Sequence, residues 1–295
     1  MNETFRCGRI ALVGRPNVGK SSLLNRLVGA NLSIASAKPQ TTRDNVIGVL
    51  TSAHCQYIFV DTPGRQCRGD NLLNRWMSKR ATEASRDCDL AVLVIASPHL
   101  DPADIDCAAT FPAATPVMLA INKIDQLRDK ARLLPLIERA RQLRDFAAVV
   151  PISARRGQGC PELLGVIREY LPIGEAIFAA DQLSDRPERF CAAEFLREQL
   201  FRQLGDELPY GAAVVIDAFE EEGDLRRIAA TVVVDKEQHK AMVVGAGGAR
   251  LKSISTKARI EMERFFGAKV FLKVWVKARP GWSNSAAMLR DLVYR

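Results

Sequence analysis

Residues 14–21 read Gly14-Arg15-Pro16-Asn17-Val18-Gly19-Lys20-Ser21, a complete GxxxxGK[ST] pattern. An apolar run, 10–13, precedes it and an amphipathic stretch, 22–28, follows. Strand, loop and helix in that order form the setting in which this pattern cradles phosphate. Glycines at both ends let backbone N–H groups turn toward an anion without a Cβ in the way. Lys20 is placed to reach β- and γ-phosphates, and Ser21 offers a hydroxyl to Mg²⁺.

Outward from this loop, the first 170 residues alternate apolar runs (10–13, 57–60, 90–95, 117–121, 147–152) with helical patterns (72–86, 127–144, 161–170). The runs lack period-two alternation, as strands buried on both faces do. This predicts an α/β fold with a mostly parallel, doubly wound sheet. Residues 45–51 read as a further strand, suited to an antiparallel edge. Ligands of such sheets bind at the carboxyl ends of the strands.

Further motifs follow the phosphate loop, three of them directly after apolar runs. Thr41-Thr42 lies before the second strand. Asp61-Thr62-Pro63-Gly64 follows 57–60, Asn122-Lys123-Ile124-Asp125 follows 117–121, and Ser153-Ala154-Arg155 follows 149–152. Asp61 suits Mg²⁺ through water, and Thr42 can complete the metal's shell. Gly64 can bring its N–H against a γ-phosphate. Asp125 accepts from the two N–H donors of a guanine edge, a pattern adenine does not present. Asn122 is expected to tie the base loop to the phosphate loop, and the stem of Lys123 to cover the base. The N–H groups of Ser153 and Ala154 are expected to meet the guanine O6. The nucleotide set is therefore Gly14, Arg15, Pro16, Asn17, Val18, Gly19, Lys20, Ser21, Ser22, Asp61, Thr62, Pro63, Gly64, Asn122, Lys123, Asp125, Ser153, Ala154 and Arg155. Lys20, Thr42 and Gly64 are the catalytic candidates, and Ser21, Thr42 and Asp61 the metal candidates.

Between Pro172 and Pro187 the pattern breaks. The expected division is 1–175, a linker at 176–187, and a second domain at 188–295. There the order becomes helix 188–204, strands 212–219 and 228–234 around an acidic turn 220–224, helix 250–266, and an alternating strand 269–277. That order is α+β. Between Gln238 and Ile260 there are five basic residues and no acidic one. One-sided charge of this kind suits a phosphate-tracking surface. Trp275 and Trp282 are candidates to stack on bases, although a strand position such as that of Trp275 more often belongs to a core.

The chain has 295 residues and a formal net charge of +8, which suits an anionic partner. Its seven cysteines form no CxxC pair, which favours a reduced compartment over a disulfide framework or zinc site. The three histidines have no ligand spacing. No apolar run approaches the ~18 to 20 residues that span a bilayer.

Taken together, GRPNVGKSSLLN, PQTTRD, DTPG, NKID and SA closely resemble the motifs of the Era family of GTPases. Gly245-Ala246-Gly247-Gly248 before a basic helix resembles the GxxG loop of a KH domain, which clamps about four nucleotides of single-stranded RNA. The stretch 272–282 is similar to the family's carboxyl end, so the resemblance covers nearly the whole chain. It implies a P-loop GTPase domain followed by a type II KH domain. It implies Mg²⁺-dependent hydrolysis of GTP, binding to the 3′ end of 16S rRNA, and a role in 16S rRNA maturation and 30S ribosomal subunit assembly. It further implies a cytoplasmic protein with peripheral contact at the inner face of the cell membrane, and no DNA partner. The implied RNA contacts are Gly245, Ala246, Gly247, Gly248, Arg250, Lys252 and Lys257.

Two positions depart from the family pattern. The KH loops usually carry a lysine where this chain has Ala246-Gly247, which shifts phosphate contact toward Arg250 or Lys252. Arg65 stands where related GTPases carry glutamine or an apolar residue, and an arginine cannot act as a general base. Asn17 matches an asparagine of potassium-stimulated GTPases, so K⁺ is a candidate cofactor. An RNA-binding scaffold with a structural nucleotide and negligible turnover is the alternative reading.

Overall fold

A computed structural model describes residues 4–36, 38, 41–64, 72–205, 211–282, 285 and 288. Arg65 lies outside the described residues. Six strands form the first sheet: β1 (Arg6–Val13), β2 (Val46–Thr51), β3 (Cys55–Asp61), β4 (Leu90–Ala96), β5 (Val117–Asn122) and β6 (Ala148–Pro151). Their order is β2-β3-β1-β4-β5-β6, parallel throughout except for β2, which runs antiparallel along β3. The edge strand foreseen at 45–51 is β2. Every residue of β3 and β5 is buried, which explains why neither shows alternation.

The helices of this unit are α1 (Lys20–Val28), α2 (Leu72–Arg86), α3 (Pro102–Ala109), α4 (Leu133–Arg141) and α5 (Cys160–Tyr170). On one face of the sheet, Val13, Leu93, Ile95, Leu119 and Ile121 pack against Cys107 of α3, Phe111 just after it, and Leu133, Leu136 and Ala140 of α4. The helix expected over 127–144 is shorter, because a separate turn at Lys130–Arg132, capped by Asp129, comes before α4. The sequence reading did not include α3. Its signal was present: Asp101 caps the helix, Pro102 occupies the first turn, and Asp104 closes a capping box.

The second unit contains α6 (Glu188–Gln203), β7 (Ala212–Glu222), β8 (Leu225–Val234), α7 (Glu237–Val244), α8 (Ala249–Phe266) and β9 (Lys269–Ala278). Its sheet has the order β7-β8-β9, with β7 antiparallel and β9 parallel to β8. Leu196 and Leu200 of α6 and Ile254, Ala258 and Met262 of α8 cover one face, against Val214, Ile216, Ile228, Ala230 and Val232. The acidic turn is smaller than expected. Glu221 and Glu222 belong to β7, where they pair with Arg226 (3.2 Å) and Arg227 (2.8 Å) across the hairpin.

Among the described residues one compact unit spans 4–35, 42–64 and 76–185, and the other takes in 36, 38, 41, 72–75, 186–205 and 211–282. The stretch 176–185 belongs to the first. The buried Gln56 side chain accepts from the N–H groups of Ile177 (2.8 Å) and Phe178 (2.9 Å) and donates to Phe178 O (2.8 Å). Ser184 Oγ donates to Ile47 O (2.6 Å), so this stretch is laid along β2 and β3. Among the described residues no helix is long and apolar enough to cross a membrane.

Candidate nucleotide-binding site

The phosphate loop turns between β1 and α1, where Gly19 (φ 100°) begins the helix. A Cβ on Gly19 would stand 2.3 Å from Asn122 Nδ2, so this loop and the end of β5 are in direct contact. Lys20 is buried, and its Nζ donates to Gly14 O (3.0 Å) and Arg15 O (2.9 Å). Burial pushes the Lys20 ammonium pKa down, against the pull of Asp61. A Cβ on Gly64 would meet Pro16 N at 2.7 Å, so the DTPG segment closes onto the phosphate loop.

Ser21, Thr42 and Asp61 converge. Ser21 Oγ donates to Asp61 Oδ2 (2.7 Å) and lies 3.0 Å from Thr42 Oγ1, which is 3.3 Å from the same carboxylate oxygen. Ser33 Oγ also donates to that oxygen (2.7 Å), a contact no motif announced. Asp61 Oδ1 is buried with no hydrogen-bond partner. Burial raises the Asp61 pKa, and Lys20 and the three hydroxyls oppose that rise. An orphaned carboxylate oxygen beside two hydroxyls is a donor set that fits a hard, oxygen-seeking cation.

Asn122 joins three segments. Its Nδ2 donates to Val18 O (2.8 Å), and its Oδ1 accepts from Lys123 N (2.8 Å) and Ala154 N (3.0 Å). Lys123, in a left-handed conformation (φ 66°), donates from Nζ to Asn17 O (2.6 Å). Asp125 Oδ1 accepts from Ser153 Oγ (2.7 Å). In the last loop the two N–H groups expected to meet the guanine O6 have partners within the protein. Ser153 N–H is engaged by Gln158 O (2.8 Å) and Ala154 N–H by Asn122 Oδ1 (3.0 Å). Arg26 of α1 fastens the loop by donating to Ala154 O (3.0 Å) and Arg155 O (2.6 Å). Arg26 gives no sequence signal for this, since its acceptors are backbone carbonyls 128 and 129 residues away.

A family model described as a 50S ribosome-binding GTPase matches residues 9–123, and one described as a KH domain matches 207–283. The chain is 44% identical over 290 residues to GTPase Era of Nitrosomonas eutropha, covering 98% of each. It is 47% identical over 294 residues to GTPase Era of Xanthomonas oryzae pv. oryzae, covering 99% of this chain and 98% of the relative. The chain belongs to the GTPase Era family. It is therefore a GTP hydrolase, with a P-loop GTPase domain and a KH domain. Its backbone is similar to an Aquifex aeolicus Era variant bound to GDP·AlF4 (TM-score 0.95, 35% identity, 98% of this chain and 99% of that one). It is equally similar to Era in complex with MgGDPNP and nucleotides 1506–1542 of 16S ribosomal RNA (TM-score 0.94, 35% identity, 98% and 99%).

The KH loop of this Era family member sits between α7 and α8. Gly245 (φ 73°), Gly247 (φ 55°) and Gly248 (φ 79°) take positive φ, and no side chain caps the first turn of α8. Gly245 faces Arg250 closely, and Arg250 Nη1 donates to Met242 O (2.6 Å). That bond holds the end of α7, so Arg250 has a structural task besides any contact with RNA. Ala246, Gly247, Lys252 and Lys257 are exposed. The two candidate tryptophans differ sharply: Trp275 is 48% exposed, whereas Trp282 is 0% exposed and donates from Nε1 to Gly211 O (3.0 Å). The strand Trp is at the surface and Trp282 is the core residue, the reverse of the usual pattern.

Proposed function

We propose that this chain is a GTP-driven switch that binds the 3′ end of 16S rRNA and times a step in 16S rRNA maturation and 30S subunit assembly. Support comes above all from its full-length likeness to an Era–RNA complex, joined to a KH loop whose helix N-terminus is uncapped and flanked by cations. Backbone N–H groups at such a terminus favour a phosphate.

In this reading Lys20 leaves the Gly14 and Arg15 carbonyls to meet the β- and γ-phosphates. Loop N–H groups from Asn17 to Ser22 surround them, and Gly64 N–H approaches the γ-phosphate. Ser21, Thr42 and Asp61 would hold Mg²⁺, which supplies neutralisation of charge developing on the phosphates. Asp125 accepts from the guanine edge, and Asn122 keeps its loop in register with Val18. Asn17 is the proposed K⁺ contact, and equal turnover in Na⁺ and K⁺ buffers would remove it. The protein works in the cytoplasm, touching the inner membrane face peripherally through basic surface.

The test is binding of a labelled RNA matching the small-subunit rRNA 3′ end, with GDP and with a non-hydrolysable GTP analogue at fixed salt. Tighter binding in the GTP form, lost on Gly247→Asp with Gly248→Asp, supports the switch. Equal binding in both forms favours a scaffold whose nucleotide does not control RNA access.

A further inference from the structure

The KH sheet has a second face, turned away from α6, α7 and α8. On β9 the side chains Val270, Leu272, Val274 and Val276 pack toward the helices, so Lys269, Phe271, Lys273, Trp275 and Lys277 share the opposite side. Phe271 is 45% exposed and Trp275 48% exposed. Isolated exposed apolar residues are ordinary, but two large aromatics alternating with three lysines on one strand face form a patterned patch. The register sets their neighbours. Phe271 lies beside Arg227, Lys273 beside Ala229, and Trp275 beside Thr231. The Arg227 guanidinium is 5.6 Å, and Lys273 Nζ 5.4 Å, from the Phe271 ring centroid. Carboxylates of this face stand on β7, two strands away: Glu220 opposite Arg227, Glu222 paired with Arg227 (2.8 Å), and Asp217 accepting from Thr231 Oγ1 (2.7 Å).

We propose that this β9 face is a second RNA-binding surface, on which single-stranded RNA stacks its bases against Phe271 and Trp275 while its phosphates pair with Lys269, Lys273 and Lys277. The proposal rests on the RNA-binding reading above and adds a surface distinct from the glycine loop. Three observations favour RNA. Every charge on this side of β9 is positive, which complements a polyanion. Aromatic rings alternating with cations give the combination that tracks a single strand without reading its sequence. The ring spacing, four residues or about 13 Å along a strand, suits bases separated by an intervening nucleotide.

The path from the glycine loop is short. A two-residue turn, Gly267-Ala268, joins α8 to β9, so α8 runs back along the strand and its amino end lies toward Lys277. β9 is the edge of its sheet, so a strand leaving Gly245–Gly248 rounds one edge to reach Trp275.

The test compares two RNAs on the full-length protein loaded with a GTP analogue. One is a ten-nucleotide single strand, and the other is a longer RNA carrying the same segment with single-stranded flanks. Phe271→Ala with Trp275→Ala should weaken the longer RNA by about tenfold to hundredfold and leave the shorter one within about twofold. Trp275→Phe should restore most of the loss, because a ring is retained. Lys273→Glu should weaken the longer RNA and flatten its salt dependence. Unchanged GTP binding and melting temperature establish that each variant is folded. Wild-type affinity of the double variant for both RNAs would overturn the proposal and leave the glycine-loop reading intact. No binding of either RNA by the wild type would overturn both. Loss of self-association or of a protein partner, with RNA affinity unchanged, would assign the face to protein and overturn the proposal.

Discussion

Arg15 Nε lies 2.7 Å from Asp104 Oδ1, joining the phosphate loop to the first turn of α3, and the Asp104 side chain is completely buried. Asp104 Oδ2 also accepts from Asp101 N (3.1 Å), while Arg15 reaches Asp101 (3.3 Å). One buried carboxylate therefore caps a helix and holds a loop that must keep its shape around a polyanion. Asp104→Ala leaves Arg15 with only the longer contact to Asp101 and α3 without half of its capping box. Because Arg15 is partly exposed, the expected loss is about 2–3 kcal/mol rather than the full cost of a broken buried pair. The melting temperature and GTP affinity should fall together. A variant that melts like wild type and binds GTP normally would show that the pair is incidental.

Asn122→Ala removes three bonds at once and leaves Val18 O, Lys123 N–H and Ala154 N–H without their partner. Each buried orphan costs about 1–3 kcal/mol. GTP and GDP affinity, measured by titration calorimetry, should fall at least about a hundredfold, with a smaller fall in stability. Nucleotide binding that survives within threefold would mean the loops keep their register without it.

Asp61→Asn should raise stability while abolishing Mg²⁺-dependent turnover. The folded protein raises the Asp61 pKa above its ordinary value of 3.8, with burial as the largest cause. A carboxyl raised on folding favours the folded state when protonated, and its ionisation costs stability as pH climbs through the folded pKa. The neutral amide escapes that cost. The nucleotide-free variant should melt higher than wild type at neutral pH, and the gap should close as the pH is lowered toward 3.8. A lower melting temperature at pH 7 would mean that attraction to Lys20 outweighs burial.

Trp282→Ala and Trp275→Ala should part company. Trp282 is fully buried and bonded to Gly211, so its removal should cost about 3–5 kcal/mol. Trp275 is half exposed, and its loss should change stability by less than about 1 kcal/mol. Denaturant melts of the full chain decide this, and equal destabilisation would contradict the burial difference.

The phosphate loop, the edge strand β2, the buried parallel strands and the face pattern of β9 were legible in the chain. Each is written within a few residues, as a glycine spacing, a periodicity or a run of apolar side chains. The convergence of Ser21, Thr42 and Asp61 was foreseen through motif order, since loops at the carboxyl ends of neighbouring strands must meet. Ser33 on Asp61, Arg26 on the 154–155 carbonyls and Gln56 on the 177–178 backbone were not foreseen. Their partners lie 28 to 129 residues away, and no local pattern marks a side chain that serves a distant backbone.

The sequence by itself determined the strands of both sheets, most of the helices and the phosphate-loop pattern, because backbone preference and amphipathic period act locally. Tertiary structure alone decided which polar groups complete one another. It placed Asp104 under Arg15 across 89 residues, used the Ser153 and Ala154 N–H groups within the protein, and turned Trp275 outward while Trp282 went in. Those outcomes depend on register and on which end of the sheet each chain segment reaches. Only the assembled sheet, with every buried donor and acceptor competing for partners, sets them.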